Sequence, residues 1–599
     1  MSRELLSQWR VFLLWSLLLV ALLALIFRLF FLQFSDDEKG HLFLKQQGDL
    51  RVLRNELIPA GRGEIIDRNG ALLAYSTPVQ SIWINPKVFE NKASDIRALS
   101  GFLDMSASKI KARLQSSGRY VFLRRQIDPA LAERVLALKI KGVHAETEYK
   151  RYYPAAEFAS HIVGFTDVED RGQEGIELAF DDLLSGQPGE RQVMRNGNGE
   201  PIKDISMKRA ATGGGQLQLS IDMNLQYMAY RELKAAVADN DARSGSMVIL
   251  DVASGEVLAL VNQPSYNVND RSQLVPANTR NRALIDLFEP GSTVKPFTLA
   301  AALEEGSINA STIIDTSPGM IRLPGKVIKD PKDYGKLDVA SVLSKSSQVG
   351  TTKISLGMEA EQLHGMFSRV GFGEYCATGF PGEQVGLLPH KKDWSDLDRA
   401  SLSYGLGMSV NAMQLARAYS VIAADGIKRP VSLLKHDKSM ARISDSAAEQ
   451  VMSPVIARQL RDMMVGVVDS GTGTKAQLAG YSIAGKTGTA HRVGSSGYEE
   501  NNYRATFAGM VPASDPKLVV VVTIDDPKRG EYHGGKVAAP IFSRVVRSAV
   551  RLLNIAPDRP EQLDVRFASE APAFAPLGGL NFSKSLPAHR GSLRVGHDA

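Results

Sequence analysis

Ser292 and Lys295, three residues apart in Phe288-Glu-Pro-Gly-Ser-Thr-Val-Lys-Pro-Phe297, are the pair in this chain whose types and spacing best suit covalent chemistry. On a helical turn that spacing sets both side chains on one face, amine against hydroxyl. A serine hydroxyl is a weak nucleophile at neutral pH. A lysine can act as its base only where burial or a neighbouring cation lowers the amine's pKa. Pro290, Gly291 and Pro296 mark a helix start, because proline is tolerated in the first turn and costly beyond it. Ser292 is therefore expected at or just before that turn. The spacing is not distinctive alone: Ser106/Lys109 and Ser108/Lys111 repeat it in a segment that reads as an ordinary polar helix.

Two further stretches add chemistry. Ser344-Lys-Ser-Ser-Gln-Val-Gly350 supplies hydroxyls and an amide just ahead of a helical run. Ala484-Gly-Lys-Thr-Gly-Thr-Ala490 surrounds one lysine with small residues, leaving room for a ligand along the backbone. As an edge strand it would pair with an extended peptide while Lys486 meets the peptide's carboxylate. The same region also fits a phosphate-cradling loop, Gly480-Tyr-Ser-Ile-Ala-Gly-Lys-Thr487. Such a loop must open a helix, whereas here a strand-like stretch at 503–509 follows, so the nucleotide reading is set against its context.

The elements that must position these residues are legible in outline. At 599 residues, with 44% hydrophobic and 23% charged residues, the chain calls for two to four globular domains. The net charge of +6 is spread without a run of five basic residues, and no aromatic-basic repeat points to nucleic acid. The single cysteine, Cys376, excludes an intrachain disulfide and a Cys-rich metal site. Val11 to Phe27 is apolar except for Ser16, and the character resumes after Arg28, long enough for a membrane span without a small-residue cleavage site. Arg3 and Arg10 before it and Asp36-Asp37-Glu38 after it place the N-terminus in the cytoplasm and the remaining mass outside the inner membrane.

Between about 40 and 215, strand-like runs alternate with turns, as in Arg62 to Gly70 returning through Ala71 to Ala74, and 92–140 carries helical spacing. His161 has no metal-ligand company and reads as a structural, hydrogen-bonded histidine. Ala211 to Gly215 reads as a flexible break, with a new module beginning at Leu217. In that module Asn224–Asn240 is helical, with Leu225, Met228, Leu233 and Val237 on its apolar side. The pair 246–250 and 256–260 forms a hairpin, Met413 to Ala424 is a helix, and Val519 to Ile524 suits a central strand. The expected architecture is α+β: an antiparallel sheet flanked by helices and closed by pairing of N- and C-terminal strands. Boundaries follow: stub 1–10, anchor 11–34, platform or pedestal 35–215, sheet-and-helix domain 216–555, and a disordered Pro-, Ala- and Ser-rich tail 556–599.

Ser292-Thr-Val-Lys295, Ser346-Ser-Gln348 and Lys486-Thr-Gly488, in that order, resemble the active-site triple of penicillin-binding proteins and serine β-lactamases. Arg62 to Gly70, Arg151-Tyr-Tyr-Pro154 and Gly172-Gln-Glu-Gly-Ile-Glu177 resemble pedestal signatures of class B penicillin-binding proteins. Phe288 to Pro296 and Tyr532-His-Gly-Gly535 are similar to the division-specific branch, the penicillin-binding protein 3 or FtsI type. The resemblance implies a D-Ala-D-Ala transpeptidase and carboxypeptidase acting on peptidoglycan stem peptides from lipid II-derived strands. Ser292 would be the nucleophile, Lys295 its base and Ser346 a proton relay. Gln348, Tyr404, Lys486, Thr487, Gly488 and Thr489 would bind substrate, with the backbone N–H groups of Ser292 and Thr489 as the oxyanion hole. β-Lactams would acylate Ser292. It further implies no metal or nucleotide, and as partners a SEDS glycosyltransferase of the FtsW kind and other divisome proteins. The second motif usually ends in Asn, and Gln348 is one methylene longer; with His491 at the pocket rim it gives the expectation of a second copy with altered drug or pH response. An elongation-type relative and a penicillin-binding sensor that never turns over are the alternative functions.

Overall fold

The computed structural model describes residues 3–34, 53–115, 118, 120–195, 201–494 and 497–563. The acidic residues expected to follow the anchor, Asp36 to Glu38, lie outside them. Arg3–Phe34 is one helix, and Gln8–Phe31 within it is long and apolar enough to cross a membrane.

The pedestal is organised by the long strand Leu72–Ile84, which pairs with Ile65–Ile66 at its start, with Val143–Tyr152 from Tyr75 to Ile84 and with Val121–Ile127 from Gln80 to Ile84. Helices Ala93–Leu103, Ala107–Leu114 and Pro129–Leu136 cover one lobe, burying Ile96, Leu99, Leu103, Ile110 and Val135. The helical expectation for 92–140 thus missed the strand Val121–Ile127, whose Arg124, Arg125 and Gln126 mask its alternation. Ser106 is an exposed N-cap accepting from Lys109 N, so neither decoy pair is poised for catalysis.

Three pedestal signatures far apart in sequence meet in one buried ionic cluster. Glu177 accepts from Arg62 Nε at 2.6 Å and from Arg151 Nε at 2.7 Å, and Asp181 takes Arg62 Nη1 at 2.7 Å. All three side chains of the Arg62–Glu177–Arg151 group are essentially inaccessible. Burial would lower the Arg62 guanidinium's pKa, but Glu177 and Asp181 more than reverse this and raise it.

Gly214 and Gly215 serve close packing, not flexibility. A Cβ on Gly214 would lie 1.8 Å from Leu184 O, and Gly214 N donates to Gly61 O at 3.0 Å. The strand beyond them is only Leu217–Gln218, and it runs parallel to the pedestal's Ile65–Ile66 instead of opening the next sheet. His161 is buried where pedestal meets the following domain. It donates from Nε2 to Asn278 O at 2.7 Å, and burial pushes its pKa down to about 4, so it is a neutral structural residue.

The second sheet has the order 257–263, 244–251, 518–525, 497–511, 484–494, antiparallel throughout. Strand Leu518–Asp525 pairs with Ser244–Asp251, which is the expected closure of the N- and C-terminal ends. It lies mid-sheet with both faces covered, which is why its sequence is unbroken and apolar. Val519 and Val521 face a core containing Ala412–Ala423, buried at every position, while Val520 and Val522 face Met223–Asp239 and Gly534–Leu552. In Met223–Asp239, Met228 and Val237 are only half-buried, and the buried face includes Gln226, whose amide bridges Phe158 O (2.7 Å) and Leu260 O (2.8 Å). The expected tail from 556 is ordered through Leu563. Asp558 accepts from Ser482 N at 2.7 Å and Arg559 pairs with Asp469 at 3.1 Å. The rest of the tail lies outside the described residues.

Candidate active site

The nucleophile turn is built as its prolines and glycine require. Gly291–Val294 forms one 3-10 turn that runs directly into helix Lys295–Glu304, with Pro296 in the first turn. That helix is buried from Lys295 through Ala302, and Phe297 packs edge-on against Phe372 (5.4 Å) and Tyr419 (5.6 Å). Tyr419 also donates to Thr293 O at 2.8 Å, tying the turn to the all-buried helix. Gly405 lies directly against the turn: a Cβ there would sit 2.2 Å from Gly291 O.

The three motifs converge on Ser346. This residue occupies the turn between helices Val339–Ser344 and Gln348–Leu356 with a left-handed φ of 57°, a strained conformation for serine. Lys295 Nζ donates to Ser346 O at 2.6 Å and lies 3.3 Å from its Oγ; Lys486 Nζ donates to the same Oγ at 2.9 Å. Lys486 sits on the outermost strand, Ala484–Gly494, so the phosphate-loop reading fails: Gly480 to Thr487 leads into a strand and no helix opens there. Thr487 Oγ1 is 2.8 Å from Thr472 Oγ1, and Thr489 Oγ1 accepts from Gly534 N at 3.0 Å. Gly488 packs against Pro290 and Thr293, which brings this strand onto the nucleophile turn.

Both amines are inaccessible, with only a neutral hydroxyl between them. Burial drags Lys295 down from 10.5 to about 7, opposed by the charge of Asp330. Burial also pushes Lys486 far down, aided by the charge of Lys295. Two adjacent buried ammoniums would be costly, so the site holds at least one neutral amine near neutral pH. Ser292 is half-buried, so its side chain is reachable from outside.

The remaining expected residues are placed unevenly. Gln348 is half-buried at the start of its helix. Tyr404 is only 3% exposed and packs with Ile328 and Ala400. His491 is exposed and lies tilted against Tyr503 at 4.6 Å, which itself stacks on Tyr532 at 4.1 Å. Sequence reasoning missed Asp330, Gly405 and Thr472. No local spacing relates any of them to the motifs they touch. Among the described residues no cluster of three or more His, Cys, Asp or Glu is arranged to hold a metal.

Comparison with known proteins shows the family. A family model described as the penicillin binding protein transpeptidase domain matches residues 245–547, and one described as the penicillin-binding protein dimerisation domain matches 57–219. The chain is 41% identical to the peptidoglycan D,D-transpeptidase FtsI of Escherichia coli over 92% of this chain and 93% of that one. It is 41% identical to the probable peptidoglycan D,D-transpeptidase PbpC of Pseudomonas aeruginosa, over 92% and 96% respectively. Among solved structures, penicillin binding protein 3 of Mycobacterium tuberculosis complexed with aztreonam superposes with a TM-score of 0.64 at 26% identity, covering 84% of this chain and 99% of that one.

Proposed function

Because the chain belongs to the penicillin-binding protein family of peptidoglycan D,D-transpeptidases, we propose that it cross-links stem peptides at the division septum through an acyl-enzyme on Ser292. The observation that carries this reading is the meeting of Lys295, Ser346 and Lys486 around one hydroxyl, next to the turn that bears Ser292. Neutral Lys295 takes the Ser292 proton as Oγ attacks the carbonyl between the two terminal D-alanines. Ser346, bonded to both amines, passes a proton to the departing D-alanine amine. The substrate's terminal carboxylate lies against Lys486, Thr487 and Thr489 and supplies the counter-charge that Lys486 lacks in the empty site. With that charge Lys486 keeps its proton, and its field favours the neutral form of Lys295. The N–H groups of Ser292 and Thr489 hold the oxyanion. An amine from a second strand resolves the acyl-enzyme, and water in its place gives the carboxypeptidase reaction. A β-lactam enters the same path and stays on Ser292.

The edge position of Ala484–Gly494 supports the docking of an extended peptide, since this strand has a free side for pairing. Gln348 and Gly488 line the same approach, and Tyr404 acts from beneath it by packing. In this reading Gln8–Phe31 anchors a single-pass inner-membrane protein with its N-terminus in the cytoplasm, the pedestal spans 35–215 and the catalytic domain 216–555. A SEDS-type glycan polymerase supplies the strands. The test is cross-linking of lipid II by the full-length chain with its polymerase, compared with Ser292→Ala. Cross-links are expected only with Ser292, and equal yields would overturn the reading.

A further inference from the structure

Asp330 belongs to none of the motifs above, yet it is the carboxylate closest in influence to the reacting groups. It follows the hairpin formed by Met320–Leu323 and Lys326–Lys329, and its own N–H donates to Gly319 O at 2.9 Å. The hairpin is held down by Ile328, which is 2% exposed and packs with Ala400 and Tyr404. From this base the carboxylate, itself only 9% exposed, reaches the start of helix Gln348–Leu356. One oxygen accepts from Gln348 N at 2.6 Å and from Val349 N at 3.3 Å; the other accepts from Ser347 Oγ. The residue next to this clamp is Ser346, in its left-handed conformation between the two lysines. A strained residue keeps such a conformation only where its surroundings fix it.

We propose that Asp330 is a positioning residue for acyl transfer: its carboxylate clamps the Ser347–Val349 helix start and so holds Ser346, to which both lysines are hydrogen-bonded, in place.

The charged groups that face Lys295 are few. Lys486 approaches from the edge strand and has its own proton disfavoured by the charge of Lys295, while Asp330, at the foot of the hairpin, favours the proton on Lys295. Burial is the largest influence and lowers the amine to about 7. Removing the Asp330 charge therefore makes Lys295 give up its proton more readily. Because the base must be neutral to act, the acid limb of the acylation rate should move to lower pH.

This inference rests on the acyl-enzyme reading, and its test separates the two. Full-length chain in detergent is acylated with a fluorescent penicillin from pH 5 to 9, native against Asp330→Asn and Asp330→Ala, with the adduct mapped by mass spectrometry. The Asn variant keeps an acceptor for the two amides and should hold its plateau rate within a few-fold while its acid limb moves down by about one pH unit. The Ala variant should show the same shift with a plateau lowered roughly tenfold, from the lost charge-assisted hydrogen bonds. An Asn variant whose acid limb coincides with the native one overturns the proposal, and so does a folded Ala variant with native plateau. Should the Ala variant not fold, the isosteric Asn variant decides alone. A native chain carrying its adduct away from Ser292 would instead sink the acyl-enzyme reading.

Discussion

The molecule buries two neighbouring cations in two places, and treats them oppositely. In the pedestal Arg62 and Arg151 share Glu177, so each guanidinium has a carboxylate within 2.7 Å and both remain charged. In the catalytic domain Lys295 and Lys486 share only the Ser346 hydroxyl, and both amines are pushed down in pKa. Residue choice follows. Arginine forks onto a carboxylate and does not deprotonate, which suits a joint between distant segments. Lysine loses its proton when buried, which suits a base. A buried cation bonded directly to a carboxylate is structure; one without such a bond is reactivity held at a cost in stability.

The contrast can be broken at four points. The largest expected effect is on rate: Lys295→Met should slow penicillin acylation roughly a thousandfold, since it removes the base. The same variant should not lose stability at pH 7. The folded-state pKa of Lys295, about 7, lies below its usual 10.5, so the unfolded chain holds a proton that the folded chain does not. The penalty is full below the folded pKa and is relieved as pH rises toward 10.5. Thermal midpoints of the native chain should thus rise over that window, and Lys295→Met should flatten the rise. Glu177→Gln is the converse, leaving two buried guanidiniums short of charge, with an expected loss of about 3–5 kcal/mol in denaturant unfolding of the pedestal. Acylation at low temperature should survive it. Next, Phe297→Ala removes an aromatic from beneath the nucleophile helix at no charge cost, with about 3–5 kcal/mol lost and a lowered acylation rate in the folded fraction. The smallest effect is expected from Gln348→Asn, which restores the usual side chain at an already half-buried helix start and should change acylation by only a few-fold between pH 5 and 8.

The two regions also differ in how far the sequence revealed them. Ser292 and Lys295 lie one helical turn apart, so their pairing is written in local spacing, and the small residues flanking Lys486 announce a strand that something lies along. The Arg62–Glu177–Arg151 cluster joins Arg62 to residues 89 and 115 positions further along the chain, and no periodicity shows that they meet. The same holds for Asp330 under Ser347 and for Gly405 against Gly291. The strand 518–525 was legible because both its faces are buried, whereas 121–127 was not, because an exposed Arg124 and a half-buried, ion-paired Arg125 break its pattern. The glycines at 213–215 misled for a related reason. Composition reports that a backbone is free to bend, and only packing shows that Leu184 occupies the space a side chain would need.

The most direct measurement is the pH dependence of penicillin acylation by the full-length chain, with the modified peptide identified by mass spectrometry. A buried base with no carboxylate bonded to it predicts an adduct on Ser292 and a rate that climbs with pH through about 7, where Lys295 becomes neutral. A rate independent of pH between 5 and 9, or an adduct on any other residue, would contradict it.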